Sequence, residues 1–246
     1  MSTWLFDLGN SRLKCAPLAS EGLPGKVVAI DHRAHDLAAQ LARLLPARFE
    51  AACVASVASQ PLRAALLDAL VGRCRRISIA RTEREFAGIH IAYAQPQRLG
   101  VDRFLALVAA HSRGPGAAVV VGIGTAMTLD LIDAAGRHRG GRIAPSPTLM
   151  REALHARATQ LPRVGGDYHI FATDTVDALA SGCDGAALAL IEHTVDAARE
   201  ALGEAPRLLL HGGGSGALLE RLRNATHVPA LVLEGLARWA RCDSPA

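Results

Sequence analysis

Trp4-Leu5-Phe6-Asp7-Leu8-Gly9-Asn10-Ser11-Arg12-Leu13-Lys14 is the stretch whose reading decides the fold. Trp4, Leu5 and Phe6 read as a buried strand, and Ser11 to Ala16 can return as its antiparallel partner. Gly9-Asn10 bends the chain between them, since Gly accepts positive φ without steric cost. Asp7 is therefore predicted at the end of an apolar strand, beside a turn of outward-pointing amides. A carboxylate next to bare N–H donors suits a Mg²⁺-phosphate group, the acid facing the metal shell and the amides the oxygens. Ser11 adds a hydroxyl and Lys14 a cation. An ordinary hairpin turn would also account for this stretch alone.

The pattern occurs twice. Val119-Val120-Val121-Gly122-Ile123-Gly124-Thr125-Ala126-Met127-Thr128-Leu129-Asp130 is again an apolar strand, a Gly-hydroxyl turn and a returning strand. Two such hairpins far apart in the chain imply two similar halves facing each other across a cleft. That arrangement resembles the acetate and sugar kinase/Hsp70/actin superfamily, in which each half gives a hairpin to the nucleotide phosphates.

The 246 residues suffice for one large domain or two smaller ones. Half are hydrophobic but only 4% aromatic, so the core should consist of Ala, Val, Leu and Ile. Met1-Ser2-Thr3 leads directly into the Asp7 strand without a basic, apolar leader, and no run approaches the roughly 18 apolar residues of a membrane span. A soluble, cytoplasmic protein without a membrane partner is expected. Cys15, Cys53, Cys74, Cys183 and Cys242 have no C-x-x-C or zinc-like spacing and read as reduced structural thiols. The net charge of +4 is modest, and Arg73-Cys74-Arg75-Arg76 lacks interleaved aromatics. It reads as a solvated helix end or loop, and no nucleic-acid partner is expected.

After the first hairpin, Lys26–Ile30 should complete a three-strand meander. Helix over His35–Leu45, strand over Ala51–Val57, helix over Pro61–Val71 and strand over Arg76–Ala80 follow, the order of an α/β domain with a mixed sheet. Pro96 holds Gln95 extended, so the segment before it is not regular helix. There Tyr93 is a packing residue or a ligand contact. A helix then begins with Gly100-Val101-Asp102-Arg103. Adjacent helical residues point about 100° apart, so Asp102 and Arg103 do not simply pair with each other. Asp102 is either an acid stabilised by the helix amino terminus or one held ionised to take a proton, with Arg103 grasping an anion.

The linker-like His111–Gly116 places the boundary between an N-terminal domain over 1–114 and a C-terminal one over 115–246. In the second half, strands are expected over 118–121, 127–132 and 139–144, a helix over 147–158, an irregular segment over 161–173 and a long helix over 175–202. Leu208-Leu209-Leu210-His211-Gly212-Gly213-Gly214-Ser215-Gly216 reads as strand, glycine loop and helix 217–222, a loop on which a flat base can lie. A strand over 228–231 and a helix over 233–241 close the chain.

The ordered motifs resemble those of type III pantothenate kinases over nearly the whole chain. The resemblance rests on Asp7-x-Gly9-Asn10-Ser11-x-x-Lys14, Tyr93-Ala94-x-Pro96-x-x-Leu99-Gly100-Val101-Asp102-Arg103 and Gly124-Thr125-Ala126-x-Thr128-x-Asp130. Gly140-Gly141-x-Ile143-x-Pro145, Leu161-Pro162, Asp174-Thr175 and Gly212-Gly213 extend it. It implies two ribonuclease H-like, actin-like domains with mixed β-sheets flanked by helices and a nucleotide cleft between them. The implied reaction is phosphorylation of pantothenate by ATP with Mg²⁺, the first step of coenzyme A synthesis.

The implied ATP contacts are Asp7, Leu8, Gly9, Asn10, Ser11, Arg12, Leu13, Lys14, Thr125, Gly212 and Gly213, with Asp7 holding Mg²⁺ through water. Asp102 corresponds to the proton acceptor, and Tyr93, Gly100, Val101, Asp102, Arg103 and Thr175 to pantothenate contacts. A homodimer is implied as well. The alternative readings are an accessory, regulatory binding protein without kinase activity and a kinase of the same superfold acting on a sugar or short acid.

One position departs from the family pattern. Where many members carry an aspartate that helps hold K⁺ or NH₄⁺, this chain has Gly122, so no monovalent-cation requirement is expected. A positive side chain such as Arg139 or Arg142 could stand in the vacated place. Pro145-Ser146-Pro147 replaces the usual Pro-Gly, a lesser change.

Overall fold

The computed structural model describes residues 2–32 and 37–242. Its first sheet is built from β1 (Thr3–Leu8), β2 (Leu13–Pro17), β3 (Val28–Ile30), β4 (Phe49–Ser56) and β5 (Cys74–Ile79), in the order β3-β2-β1-β4-β5. β1–β3 form the antiparallel meander, while β4 and β5 join in parallel after α1 (Leu37–Leu44) and α2 (Gln60–Leu70). The expected start of α1 at His35 lies outside the described residues. Alternation divides β1 between two faces: Phe6 and Leu8 join Leu37, Leu41, Leu66 and Leu70 in one core cluster. Pro61 sits in the first turn of α2, where its missing N–H leaves no bond unmade.

The segment before the Gly100 motif holds a small hairpin, β6 (Glu85–Phe86) with β7 (Ile89–His90), and a 3₁₀ turn at Pro96–Arg98. α3 (Val101–Ser112) follows, buried along nearly all of its length. It runs through the first part of the expected linker, because the amide of Arg113 still reaches the carbonyls of Ala109 and Ala110.

A second sheet repeats the first. β8 (Ala118–Ile123), β9 (Ala126–Ile132), β10 (His138–Pro145), β11 (Arg207–His211) and β12 (Ala225–His227) lie in the order β10-β9-β8-β11-β12. Again three antiparallel strands come first and two parallel ones follow. α4 (Pro147–Arg157) and α5 (Thr175–Leu202) intervene, and Val119, Val121, Met127 and Leu129 pack with Ala187, Leu188 and Ile191 of α5. The irregular stretch before α5 is as expected, and Gly203 in the left-handed region ends that helix.

The C-terminal region differs from the sequence reading in three ways. The helix expected over 217–222 is one turn, α6 (Gly216–Leu219), because the amides of Arg221 and Leu222 bond to carbonyls three residues back rather than four. The last strand is Ala225–His227, not 228–231, since Pro229 has no N–H to continue a ladder. Finally, α7 (Leu231–Cys242) does not belong with the domain expected over 115–246. The chain divides into Met1–Arg113 with Ala230–Ala246, and Gly114–Pro229. The reason is burial: Leu231, Leu233, Leu236 and Trp239 of α7 are covered, and Gly235 lies against the backbone of Leu105 in α3. A 2.6 Å ion pair from Arg113 to Glu234 and a hydrogen bond from Trp239 Nε1 to Glu83 fix its position.

Candidate active site

In the first unit the strand register puts Asp7 directly across from Lys14, one pair from the turn of the β1–β2 hairpin. The turn closes where the Gly9 amide donates to the Arg12 carbonyl at 3.0 Å, and His32 Nε2 lies 3.0 Å from the Gly9 carbonyl oxygen. Leu8 and Leu13 are fully buried, so only their backbone is available to a ligand, whereas Asn10 and Arg12 are exposed. Burial pushes the Asp7 carboxyl up to about 7; Lys14 works against this rise and Asp102 adds to it. Asp7, Lys14 and Asp102 therefore share one electrostatic neighbourhood, although they come from two strands and a helix.

The helical start delivers the rest. Thr82 Oγ1 donates to the Leu99 carbonyl at 2.8 Å, fixing the chain just before α3. Asp102 Oδ1 accepts from the Arg103 amide at 2.9 Å. Gly100 leaves space for that carboxylate: a Cβ there would come within 2.6 Å of Asp102 Oδ1. Val101 is buried. Arg103 is buried as well, its Nη1 donating to the Tyr93 hydroxyl at 3.3 Å and its guanidinium 5.9 Å from the Tyr93 ring centre. Tyr93 is thus a partner of Arg103, which sequence spacing did not reveal.

An acid whose ionisation is disfavoured by burial, with a second carboxylate nearby, gains most from a divalent cation. Asp7 fits a Mg²⁺ ion on that ground.

In the second unit, Thr125 is exposed in the β8–β9 turn, closed by the Gly124 amide donating to the Ala126 carbonyl at 2.9 Å. Ser146, although a minor change in sequence, buries a hydroxyl that donates to the Thr125 carbonyl at 2.9 Å. The same oxygen accepts from the Leu149 amide at the start of α4, so Ser146 ties the hairpin to that helix. Gly212, at φ +95, packs against the Ile123 backbone, and the Gly214 amide donates to the Ile123 carbonyl at 3.0 Å. Ser215 Oγ lies 2.7 Å from the Gly212 carbonyl and 2.9 Å from His227 Nε2. The glycine loop containing Gly213 is therefore docked on the end of β8, beside the hairpin. Thr175 is exposed at the start of α5, behind the Asp174 cap, which accepts from the amides of Val176 and Asp177.

The residues around Gly122 do not fit a monovalent-cation site built on a carboxylate. The imidazole of His211 covers the glycine, with Cε1 and Nε2 each 2.9 Å from where a Cβ would stand. Asp130 is buried 3.0 Å from His138 Nε2. Neither expected arginine takes the place: Arg139 pairs with Asp133 at 3.3 Å, and Arg142 donates to Thr194 Oγ1 at 3.2 Å.

Comparison with known proteins identifies the family and the fold. The chain matches the family model for type III pantothenate kinase over residues 4–197. It is 57% identical over 240 residues to a type III pantothenate kinase of Stenotrophomonas maltophilia strain K279a, covering 98% of each chain. A type III pantothenate kinase of Xanthomonas axonopodis pv. citri is 55% identical, with 99% of each chain covered. Among solved structures, a Campylobacter jejuni protein described as a Baf family transcriptional activator matches with a TM-score of 0.65 at 20% identity, covering 98% of both chains. An archaeal actin homologue matches with a TM-score of 0.52 at 11% identity, over 99% of this chain and 100% of that one. These distant structures establish the fold, two actin-like domains; the closer sequences establish that the chain belongs to the type III pantothenate kinase family.

Proposed function

We propose that this chain transfers the γ-phosphoryl group of ATP to the primary hydroxyl of pantothenate, giving 4′-phosphopantothenate for coenzyme A synthesis. The observation that carries the reading is the set Asp7, Lys14, Asp102, Arg103 and Tyr93 in one unit. Its two carboxylates feel each other's charge, and its guanidinium bonds to the phenol. Phosphoryl transfer passes through a loose transition state, so positioning and charge neutralisation provide most of the catalysis. Mg²⁺ bound through Asp7 supplies neutralisation of the phosphate charge.

This chain's residues do the remainder. Amides of the Gly9–Arg12 turn and the Lys14 ammonium hold phosphate oxygens, as do the turn at Thr125 and its hydroxyl. Gly212 and Gly213 leave a flat surface for the adenosine. Asp102 accepts the hydroxyl proton, a contribution of about 10²–10⁴-fold for general-base action. Arg103, oriented by Tyr93, grips the pantothenate carboxylate through two N–H donors, a geometry Lys cannot reproduce. Gly100, Val101 and Thr175 complete the pantothenate contacts.

A homodimer goes with this reading. Its support is an apolar groove between α4 and α5, lined by Leu149, Met150, Leu154, Leu179 and Cys183. Ile170 and Phe171 stand exposed in the segment before α5, and solvent is a poor neighbour for so much apolar surface. A cytoplasmic location, where ATP is made available, also belongs to the proposal; no described helix is long and apolar enough to cross a membrane. The direct experiment incubates purified protein with ATP, Mg²⁺ and pantothenate and follows 4′-phosphopantothenate by mass spectrometry. No product under conditions where the protein is folded and binds ATP would overturn the assignment.

A further inference from the structure

His211 is a residue that the reaction, as described so far, does not use. Strand register sets it in a row across three strands: Thr128 of β9 opposite Gly122 of β8, and Gly122 opposite His211 of β11. Residues side by side in a sheet present their side chains to the same face. Val121, Ile123, Met127, Leu129 and Leu210 belong to the core cluster with α5, so the row faces away from that core. Gly122 has no side chain, and both neighbours lean over it. A Cβ at 122 would meet Thr128 Oγ1 at 2.9 Å and the His211 ring at 2.9 Å. The result is a closed patch in which the hydroxyl and the imidazole cover the glycine and leave no room for a side chain. It sits one residue before the Gly212 loop and at the root of the turn that carries Thr125.

We propose that His211, its ring lying over Gly122, is a further ATP-binding residue that donates an imidazole N–H to a phosphate oxygen, so that the second hairpin works without a monovalent cation. The inference deepens the kinase reading and rests on it. A fixed N–H donor and a site-bound cation satisfy the same phosphate oxygen; the imidazole occupies the volume in which a carboxylate at position 122 would stand to hold such an ion. The two arrangements exclude each other sterically, and this chain has the first. Seating the donor on β11, rather than on a loop, keeps its geometry from relaxing when the nucleotide leaves.

The test reads ATP binding and turnover separately. ATP affinity is measured by calorimetry on the full chain in KCl, NaCl and Tris, and initial rates are taken in the same buffers. Affinity and turnover in sodium or Tris are expected within about twofold of those in potassium. His211→Ala should weaken ATP binding about tenfold and raise KM for ATP, leaving KM for pantothenate within twofold. His211→Gln, which keeps an N–H donor, should recover most of the loss, and His211→Leu, which has no donor, takes the place of the alanine variant if that one fails to fold. The double variant Gly122→Asp/His211→Ala should gain affinity and thermal stability from KCl that NaCl does not provide.

Loss of ATP binding in the unmodified chain when potassium and ammonium are withdrawn would overturn the proposal. So would unchanged ATP affinity in His211→Ala or, in its place, His211→Leu. Because ATP affinity is read without pantothenate, a chain that binds ATP as described but forms no 4′-phosphopantothenate refutes the assigned reaction and leaves the role of His211 supported.

Discussion

At the scale of single residues, the first unit concentrates charge where a small domain would normally avoid it. Asp102→Asn should preserve the fold and ATP binding yet lower kcat by about 10²-fold or more, read in steady-state kinetics; near-normal turnover would remove Asp102 from the mechanism. Arg103→Lys keeps the charge but loses the two-pronged contact and the Tyr93 partnership. KM for pantothenate should rise far more than KM for ATP, and pantothenol, which lacks the carboxylate, should be a poor substrate. Equal use of both compounds would sink the assignment.

Asp7 yields a stability prediction of the opposite sign to its activity role. Its folded pKa of about 7 lies above the ordinary 3.8, so the protonated form is favoured by folding. The associated stability is full below about pH 4 and is lost as pH rises through 7. Without metal and nucleotide, Asp7→Asn should melt with the parent at pH 4. At pH 8 it should melt higher by about 4–8 °C, on the order of 2 kcal/mol after discounting for solvent access. The same variant should be severely impaired as a kinase. Identical melting at pH 8 would mean that burial of this carboxyl costs nothing.

At the scale of elements, the crossing of α3 and α7 depends on one missing side chain. A Cβ on Gly235 would overlap the carbonyl of Leu105, a backbone atom with nowhere to go while α3 is buried on all sides. Gly235→Ala, ordinarily favourable in a helix interior, should here destabilise by about 3 kcal/mol or more, measured by denaturant unfolding. A neutral or stabilising result would show that the helices can move apart freely. The elements that periodicity describes best were those with a clean apolar pattern. α5 spans Thr175–Leu202 as its spacing indicates, and the β1–β2 hairpin stands where Gly9-Asn10 places it. The short C-terminal elements were misread because Val228 and Leu231 look strand-like by composition, while Pro229 and the burial of Leu231 in the other unit decide otherwise.

At the scale of the whole molecule, the chain returns at its end to the unit in which it began. Deleting residues 230–246 removes the cover from α3 and β1 rather than an appendage of the second unit. The truncated chain should lose cooperative melting of the first unit and with it ATP and pantothenate turnover; an active, cooperatively folding truncation would contradict the division drawn here.

What the sequence alone determined is what is local in the chain or repeated in it. The two hairpins, the Gly100-Val101-Asp102-Arg103 helix start and the glycine loop each lie within a dozen residues. Their chemistry follows from turn residues and strand alternation, and their order identifies the family. Tertiary structure decided what depends on neighbours distant in sequence. The pairing of Tyr93 with Arg103, the burial that raises Asp7, the anchoring of Thr125 by Ser146 and the covering of Gly122 by His211 are all of this kind. His211 is 89 residues from Gly122, and only the parallel register of β11 on β8 makes them adjacent. A one-dimensional pattern carries no term for that register, which is set by packing of both sheet faces.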